Sequence, residues 1–305
     1  MLGFILRRFG QAVIAVIGVS IIVFIAVRMT GDLARFVLPP DAGAADLARV
    51  RAEYGVDRPL YVQYWLFLAK AATGDFGYSW RWQGSAWTVV WDRLPATLEL
   101  ALAAAAITAV ISVVVGTTSA VRPGSWVDTV GKGFAILGQS MPTFWVGILL
   151  ILIFAVRLRW LPTSGRQGPT YLILPAITLG WYSAAAQTRL IRSSMLDVLD
   201  SEYIKMARVK GVPEFYVIYK HALRNAALPV LTLMGVQWAQ LLSGSVIVET
   251  IFAWPGVGRT IVEAIFNRDF AVVQAGTVIM SVIFVSANLL VDLLYGLLDP
   301  RIRYS

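Results

Sequence analysis

The sequence predicts an all-α protein, a polytopic membrane helical bundle with six transmembrane helices. An external lobe is expected between the first and second helices, and a short cytoplasmic helix between the fourth and fifth. Hydrophobic residues make up 58% of the 305 positions and charged residues only 14%, whereas about a quarter of the residues in soluble domains are charged. The mean hydropathy is +0.70, and several apolar segments reach the length of about 20 residues that a bilayer core requires.

The predicted spans follow from these apolar segments. The first follows Arg7 and Arg8, and its apolar run is longer than the core of a signal peptide, so we expect it to be retained. The third is interrupted by Met141 and Pro142, and a kink is expected there because proline lacks a backbone donor. The spans are predicted at residues 9–29, 96–120, 132–156, 172–194, 228–250 and 273–296.

The distribution of cations predicts the orientation. The 26 lysine and arginine residues divide equally between the two sides, but one side includes the long segment 30–95. Long external segments cross the membrane largely regardless of their charge. The orientation is therefore predicted from the cations that flank the first and fourth helices, and these cations favour a cytoplasmic N-terminus. Six spans then place the C-terminus and the loop 195–227 in the cytoplasm as well.

Composition excludes several classes of function. The chain has no cysteine and a single histidine, His221, so we expect no disulfide and no thiolate or multi-histidine metal site. The sequence has no phosphate-binding G-x-x-x-x-G-K-[ST] loop and no G-x-S-x-G or H-E-x-x-H motif. We therefore expect no catalytic residue, no metal and no bound cofactor in this chain. The net charge of +8 is explained by the lysine and arginine residues that collect in the cytoplasmic loops of membrane proteins. We therefore expect no nucleic acid partner.

Two external connections are long enough to form structure of their own. Residues 60–79 predict a half-apolar helix that ends at a Gly-Asp turn, and several tryptophans follow. Such a segment suits either the outer membrane interface or a cap over the bundle, and both alternatives remain open. Residues 252–270 predict a Pro-Gly turn and an amphipathic helix. Their Gly-x-Gly lacks the third glycine of a dinucleotide fingerprint, because Ile261 occupies that position.

Neutral polar side chains lie in or beside the predicted spans. They either form hydrogen bonds between helices or line a hydrated pathway for a polar solute, and the sequence leaves both alternatives open. Acidic residues in the spans are too few to predict a proton or sodium relay. The candidate pathway residues are Gln139, Ser140, Gln187, Gln237, Gln240 and Asn288.

The cytoplasmic stretch 201–229 predicts a helix, a Gly-x-Pro turn and a second helix. Asp200 or Ser201 can cap the first helix, and Gly211 can end it. Pro213 suits the first position of the second helix. The first helix is amphipathic, so it would contact either lipid headgroups or a cytosolic partner. Its predicted apolar face comprises Leu199, Tyr203, Met206 and Ala207, and its predicted polar face Ser201, Lys205 and Arg208.

This stretch resembles the cytoplasmic EAA loop of binding-protein-dependent ABC transporter permeases. The general motif is Glu-Ala-Ala, three residues, Gly and a later Ile-x-Leu-Pro. Ala207 and Gly211 match the motif, whereas Lys205 and Met206 stand where Glu and Ala are usual. The Leu-Pro pair, at 228–229, comes five residues late. These departures are similar to the dipeptide/oligopeptide/nickel branch of the family, with its EY…AR.KG…RHALRNA..P pattern.

Several further stretches resemble the same branch. The start FILRR before the first helix is similar to the B-type subunit, whereas C-type subunits usually carry a longer cytoplasmic lead. The resemblance covers nearly the whole chain and implies a single permease domain over residues 1–305. The matching stretches are GDFGYS (74–79), SMPTFWVGILLI (140–151), ETIFAWPGVGR (249–259), RDFAVVQ (268–274) and DPRIRY (299–304).

The resemblance implies that the cytoplasmic helix is a coupling helix that docks on an ATPase subunit. The residues carried over for this role are Glu202, Tyr203, Lys205, Met206, Ala207, Arg208, Lys210 and Gly211. An external motif is carried over at Trp254, Pro255, Gly256 and Gly258.

The resemblance also implies the partners and the location. The implied assembly in the bacterial cytoplasmic (inner) membrane contains a second permease, two ATPase subunits that hold ATP and magnesium, and an extracytoplasmic solute-binding protein. The implied solutes are di- or oligopeptides, with nickel chelates or other small solutes as the alternative. An ion-coupled secondary transporter is a different class, which would show internal repeats and acidic residues in mid-membrane.

Overall fold

The structure is a computed structural model that describes residues 2–30, 43–53 and 57–298. The chain divides into two compact units, residues 1–96 with 255–305, and residues 97–254. The motif DPRIRY (299–304) lies outside the described residues. The described part is almost entirely helical and contains one antiparallel pair of two-residue strands. This result confirms the mainly α-helical class.

The elements follow one another in this order: α1 (Leu2–Thr30), α2 (Ala44–Glu53), α3 (Leu60–Ala72), β1 (Tyr78–Ser79), β2 (Gly84–Ser85), α4 (Ala86–Val121), α5 (Trp126–Ser140), α6 (Thr143–Leu150), a π-helical segment (Ile151–Arg157), α7 (Thr170–Leu199), α8 (Glu202–Val209), α9 (Glu214–Tyr216), a second π-helical segment (Val217–Ala222), α10 (Leu223–Ile251), α11 (Val257–Phe266) and α12 (Phe270–Leu298).

Four helices are long and apolar enough to cross a membrane, within the described residues. They are Leu6–Thr30, Ala86–Val121, Pro229–Ile251 and Phe270–Val291, and the bent pair of α5 and α6 gives a fifth if it counts as one span. The predicted span 172–194 does form a helix, α7, but α7 is too polar to count among these candidates. The described residues thus give four or five candidate spans by length and composition.

The Met-Pro break in the third predicted span is much sharper than a kink. The axes of Trp126–Ser140 and Thr143–Arg157 differ by 116°. Met141 is extended, with φ −89° and ψ 129°, as expected for a residue whose helical conformation would clash with the following proline ring. Pro142 is extended as well. Two consecutive extended residues turn the chain, so residues 132–156 are not one continuous helix.

The second predicted span begins earlier than expected. We predicted its start near residue 96, but α4 begins at Ala86 and Pro95 lies inside the helix. An interior proline removes one helical hydrogen bond. Burial of apolar side chains on either side of it, including Val90 and Leu100, holds the helix together. The segment before the span is therefore shorter than residues 30–95.

Glycines allow very close helix packing in the unit 97–254. A Cβ atom on Gly138 of α5 would lie 2.3 Å from Cβ of Ala185 on α7. A Cβ on Gly180 of α7 would lie 2.9 Å from the carbonyl oxygen of Ala104 on α4. Small residues are the usual means by which membrane helices approach closely. The run of alanines at 103–106 serves the same packing, since Ala104 is fully buried.

We expect Gly138→Ala to destabilise the protein by about 1–3 kcal/mol, because the added methyl group overpacks the contact with α7. Gly133→Ala is the matched control on the same helix, since a Cβ there meets no atom within 4 Å. The measurement is the thermal unfolding midpoint of the purified protein in detergent. Equal midpoints for the two variants would contradict the close packing of α5 on α7.

Candidate functional site

The short helix α8 is anchored by the side chain of Ile204, which is fully buried. Ile204 belongs to an apolar cluster to which α4, α7, α10 and the second π-helical segment contribute. Ala207 is partly buried against the same cluster. The other buried members are Ala120, Ile191, Met195, Val217, Ile218, Ala222, Ala226 and Val230. The helix is thereby fixed to the body of its unit.

The outward side of α8 exposes apolar side chains too. Met206 is 55% exposed, Val209 is 83% exposed, and Tyr203 is also exposed. The helix therefore has two apolar sides, whereas the sequence predicted one face that joined Tyr203, Met206 and Ala207. Ala207 faces inward with Ile204. A helix of eight residues has too few turns for a wheel to separate the two sides.

The C-terminal end of α8 is a Schellman motif. Gly211 has φ +75°, its N–H donates to the Arg208 carbonyl at 2.9 Å, and the Val212 N–H donates to the Ala207 carbonyl at 3.2 Å. This geometry needs a left-handed residue, which glycine adopts without strain. The predicted role of Gly211 in ending the helix is thus confirmed. Pro213 precedes the next helix as its capping residue and is not its first helical residue.

The N-terminal end of α8 lacks the predicted side-chain cap. Ser201 occupies the capping position. Its hydroxyl donates to the carbonyl of Val198 and does not accept from the helix. The serine therefore secures the turn out of α7.

The cations of α8 are paired within the chain. Nζ of Lys205 lies 3.2 Å from an Asp200 carboxylate oxygen and 3.1 Å from a Glu202 oxygen. Arg208 lies 2.8 Å from Glu214, on the helix that follows the turn. The hydrogen bond from Arg208 lowers the pKa of Glu214. The pair therefore stabilises the turn above the ordinary glutamate pKa and is lost as the pH falls through the lowered value, with a small effect because both groups are exposed.

Tyr203 ties α8 to α10. Its hydroxyl accepts from Nδ2 of Asn225 at 2.7 Å, and the same amide group reaches the His221 carbonyl at 3.1 Å. Tyr203, Asn225 and His221 all belong to the pattern that carried the family resemblance. These positions hold the loop together, and Tyr203 is exposed on α8 together with Met206 and Val209.

A buried ion cluster, which sequence reasoning missed, joins α5 to α7. Asp128 is fully buried, and Arg192 binds both of its oxygens, with Nη2 at 2.9 Å. Lys132 and the Gly124 N–H each lie 2.9 Å from the second oxygen. The sequence feature that could have drawn attention to Asp128 is the Ser-x-x-Asp capping pattern at 125–128. In the structure the Ser125 hydroxyl accepts from the Asp128 N–H. Arg192 stands seven residues before the end of α7, so the cluster fixes the helix that leads into α8.

Two of the candidate pathway residues meet in the structure. Nε2 of Gln187 donates to Oε1 of Gln237 at 2.7 Å, and the Ser112 hydroxyl donates to Gln187 at 3.3 Å. All three are buried, so this chain of hydrogen bonds joins α4, α7 and α10. Gln240, one turn further along α10, is exposed and does not join them.

The other candidate pathway residues lie apart. Gln139 and Ser140 stand at the break between α5 and α6, where their side chains donate to carbonyls of their own helix, those of Ala135 and Ile136. Asn288 is half-buried on α12, in the other unit. Of the six candidate pathway residues, the structure thus brings only Gln187 and Gln237 into contact with each other.

The external motif lies in the connection from α10 to α11. Trp254 is fully buried, and its backbone N–H donates to the Glu249 carbonyl at 2.8 Å. The Arg166 guanidinium lies 5.8 Å from the centre of the Trp254 ring. Gly256 is the capping residue of α11, and its carbonyl accepts from the Thr260 hydroxyl at 2.8 Å. Pro255 lies between them, and Gly258 is buried within the first turn of α11. The predicted turn followed by a helix is confirmed.

Comparison with known proteins shows the family. Residues 111–304 match the model of the binding-protein-dependent transport system inner membrane component. Residues 1–101 match the model of the N-terminal part of binding-protein-dependent transport system membrane components.

The relatives cover the whole chain. The glutathione transport system permease protein GsiC of Escherichia coli (strain K12) is 40% identical over 306 residues, which is 100% of both chains. GsiC of Salmonella choleraesuis (strain SC-B67) is 40% identical with the same coverage. A solved structure described as an amino acid ABC transporter with histidines shares the fold, with a TM-score of 0.51 and 18% identity over 70% of this chain and 94% of that chain. This chain belongs to the family of binding-protein-dependent transport system inner membrane components.

Proposed function

We propose that this chain is one of two permease subunits of an ATP-driven importer in the bacterial inner membrane, with both termini in the cytoplasm. A second permease would complete the translocation pathway, and an extracytoplasmic binding protein would deliver the solute. The observation that carries the proposal is the outward apolar side of α8, at Tyr203, Met206 and Val209. A rigid, exposed apolar helix in a loop of paired charges is suited to a groove on another protein.

The groove belongs to an ATPase subunit in this proposal. ATP and magnesium would be held by two such subunits, and this chain would hold no cofactor and perform no hydrolysis. Movement of the ATPases would act on α8, and Ile204 and the Asp128–Arg192 cluster would pass that movement to α7 and α5. Because coupling between sites is reciprocal, delivery of solute on the outside would change ATPase activity on the inside.

The solute class that fits best is a small peptide. The GsiC relatives are named for glutathione, which is a tripeptide, so glutathione and other short peptides are the first solutes to test. Nickel chelates and other small solutes would suit the same architecture. An ion-coupled secondary transporter would need no ATPase partner, so copurification of ATPase subunits distinguishes the two classes.

The docking of α8 on an ATPase subunit can be tested by placing a charged residue on the outward side of α8. Burial of a valine or methionine side chain contributes about 1.5–3 kcal/mol, and 1.4 kcal/mol is tenfold in affinity. We therefore expect Met206→Asp and Val209→Asp each to lower ATPase copurification and solute uptake by about tenfold or more. The measurements are the amount of ATPase subunit that copurifies with the tagged permease and the uptake of radiolabelled glutathione into cells.

Three further variants make this docking test specific. Lys205→Ala should change little, because an exposed ion pair is worth about 1 kcal/mol or less. Ile204→Asp should lower the unfolding midpoint of the purified chain, whereas Met206→Asp and Val209→Asp should not. Gly211→Val strains the end of α8 and should abolish coupling while the protein still inserts. Normal copurification and uptake for both outward variants would refute the docking role.

The polar residues of the spans have two separable roles in this proposal. Gln187→Leu leaves the buried Gln237 without its hydrogen-bond partner, so this substitution should lower the free energy of unfolding by about 1–3 kcal/mol. Gln240→Leu removes no hydrogen bond to a neighbouring helix and should keep assembly and basal ATPase activity. If Gln240 lines the pathway, Gln240→Leu impairs uptake alone. Unchanged uptake in Gln240→Leu would exclude this residue from the pathway.

Six spans require that α7 crosses the membrane in spite of its polar composition. The chain has no cysteine, so a single introduced cysteine shows, without background labelling, on which side of the membrane each end of α7 lies. Gly168→Cys before α7 and Asp197→Cys near its end are both at exposed positions. In intact cells, we expect a membrane-impermeant maleimide to label Gly168→Cys and to label Asp197→Cys only after the cells are permeabilised. Equal labelling of both from outside would refute the six-span topology.

A further inference from the structure

The helix α3 (Leu60–Ala72) presents an apolar surface that no described residue covers. Tyr61 is 76% exposed and Trp65 is 69% exposed, and Leu60 and Leu66 are exposed beside them. Lys70 is the one charged residue in the sequence of this helix. Helices that face water carry mainly polar residues on their exposed side. The exposed side of α3 is therefore suited to an apolar environment.

The opposite side of α3 is held against α1. The Tyr64 hydroxyl and the Ser20 hydroxyl are hydrogen-bonded at 2.8 Å. The ring of Phe24 lies 5.5 Å from the ring of Tyr64 and 5.8 Å from that of Phe67. These contacts fix the position of α3 along the axis of α1.

The sequence of α1 sets a depth scale for these contacts. Residues 9–27 carry no charge and are bracketed by Arg8 and Arg28. At 1.5 Å per residue, the distance from Arg8 to Arg28 is about 30 Å, the thickness of the hydrocarbon core. On this scale Phe24 lies about 6 Å and Ser20 about 12 Å below the level of Arg28. The side chains of α3 that meet them thus reach below the membrane surface.

We propose that α3 lies in the outer leaflet, along the boundary between headgroups and acyl chains, and that Tyr61 and Trp65 contact lipid. Interfacial helices lie about 5–10 Å deep at this boundary, and tryptophan and tyrosine are enriched there. Lys70 can extend its ammonium group to lipid phosphates while its carbon chain stays in the apolar layer. The choice of leaflet depends on the proposed orientation, whereas the contact with lipid does not.

The lipid-facing surface of α1 continues onto α3. Ile17 and Ile21 are exposed on α1, and because they stand seven and three residues before Phe24 they lie next to the side of α1 that meets α3. A stack of rings extends the surface further. Successive ring centroids are separated by 6.2, 6.2 and 5.5 Å along Phe67, Phe76, Trp87 and Trp91. The stack ends at Trp91, which is exposed on α4. Of the two alternatives for this segment, the geometry points to the membrane interface.

The test uses spin labels on single cysteines, which the cysteine-free chain allows without background. Trp65→Cys carries the label in the complete transporter, reconstituted into phosphatidylcholine–phosphatidylglycerol vesicles. Thr73→Cys, exposed just beyond α3, is the control for water, and Ile14→Cys is the control for the bilayer interior. We expect the ratio of oxygen to nickel-chelate collisions at position 65 to be severalfold higher than at 73 and lower than at 14.

Two results would overturn the proposal. A label at position 65 as accessible to the nickel chelate as that at 73 means that α3 faces water. A label protected from both oxygen and the chelate means that another protein chain covers α3. Orientation is tested separately with a membrane-impermeant thiol reagent on intact cells carrying Thr73→Cys. If the reagent labels Thr73→Cys only after permeabilisation, the proposed orientation fails while the contact with lipid stands.

Discussion

The burial of Ile204 is the interaction on which α8 and the turns beside it depend. The ion pairs of α8 are exposed, and each contributes about 1 kcal/mol or less. Full burial of an isoleucine side chain contributes about 1.5–3 kcal/mol. The apolar anchor therefore exceeds any single charged contact in the loop, and it makes α8 part of the same packed body as the end of α7. The ion pairs then set the direction of the chain on either side of that anchor.

Several positions that match the family pattern make contacts within the loop, although Tyr203 also faces outward. Tyr203, Arg208 and Gly211 match the pattern, and each makes contacts within the loop: with Asn225, with Glu214 and with the carbonyl of Arg208. Met206 departs from the general motif and faces outward, as does Val209. Under the proposed function, the contacts within the loop would hold its shape, and Met206 and Val209 would contact the ATPase subunit.

The sequence predicted those features that depend on local chemistry. The left-handed Gly211 and the break at Pro142 follow from the restrictions that glycine and proline place on the backbone. The apolar spans follow from composition. The inward role of Ile204 could not be predicted, because an eight-residue helix with apolar residues on two sides has no unique buried face. The buried partner of Asp128 was equally inaccessible, since Arg192 lies 64 residues away in sequence.

Tertiary packing explains the two elements that composition misjudged. The second span was predicted to begin at residue 96, but α4 continues through Pro95, because buried neighbours on both sides outweigh the one hydrogen bond that this proline removes. α7 is too polar to count among the candidate spans, but two of its polar side chains have partners inside the unit, where Gln187 meets Gln237 and Arg192 meets Asp128. A membrane helix can carry such groups only if neighbouring helices bind them.

The same partners make α7 the element through which its unit responds as a whole. It is bound to α5 by the Asp128–Arg192 cluster and by the close approach at Gly138, and to α10 by the pair Gln187–Gln237. Separation of α7 from α5 would remove both hydrogen bonds of Arg192 from the buried Asp128, which would keep only its contacts with Lys132 and Gly124, and loss of one partner of a buried ion pair is destabilising. A force on α8 is therefore less able to pull α7 away from α5 than to turn the two together. Under the proposed function, movement at the ATPase would reach the break at Ser140–Pro142 as a rotation of packed helices, with the polar contacts between them kept intact.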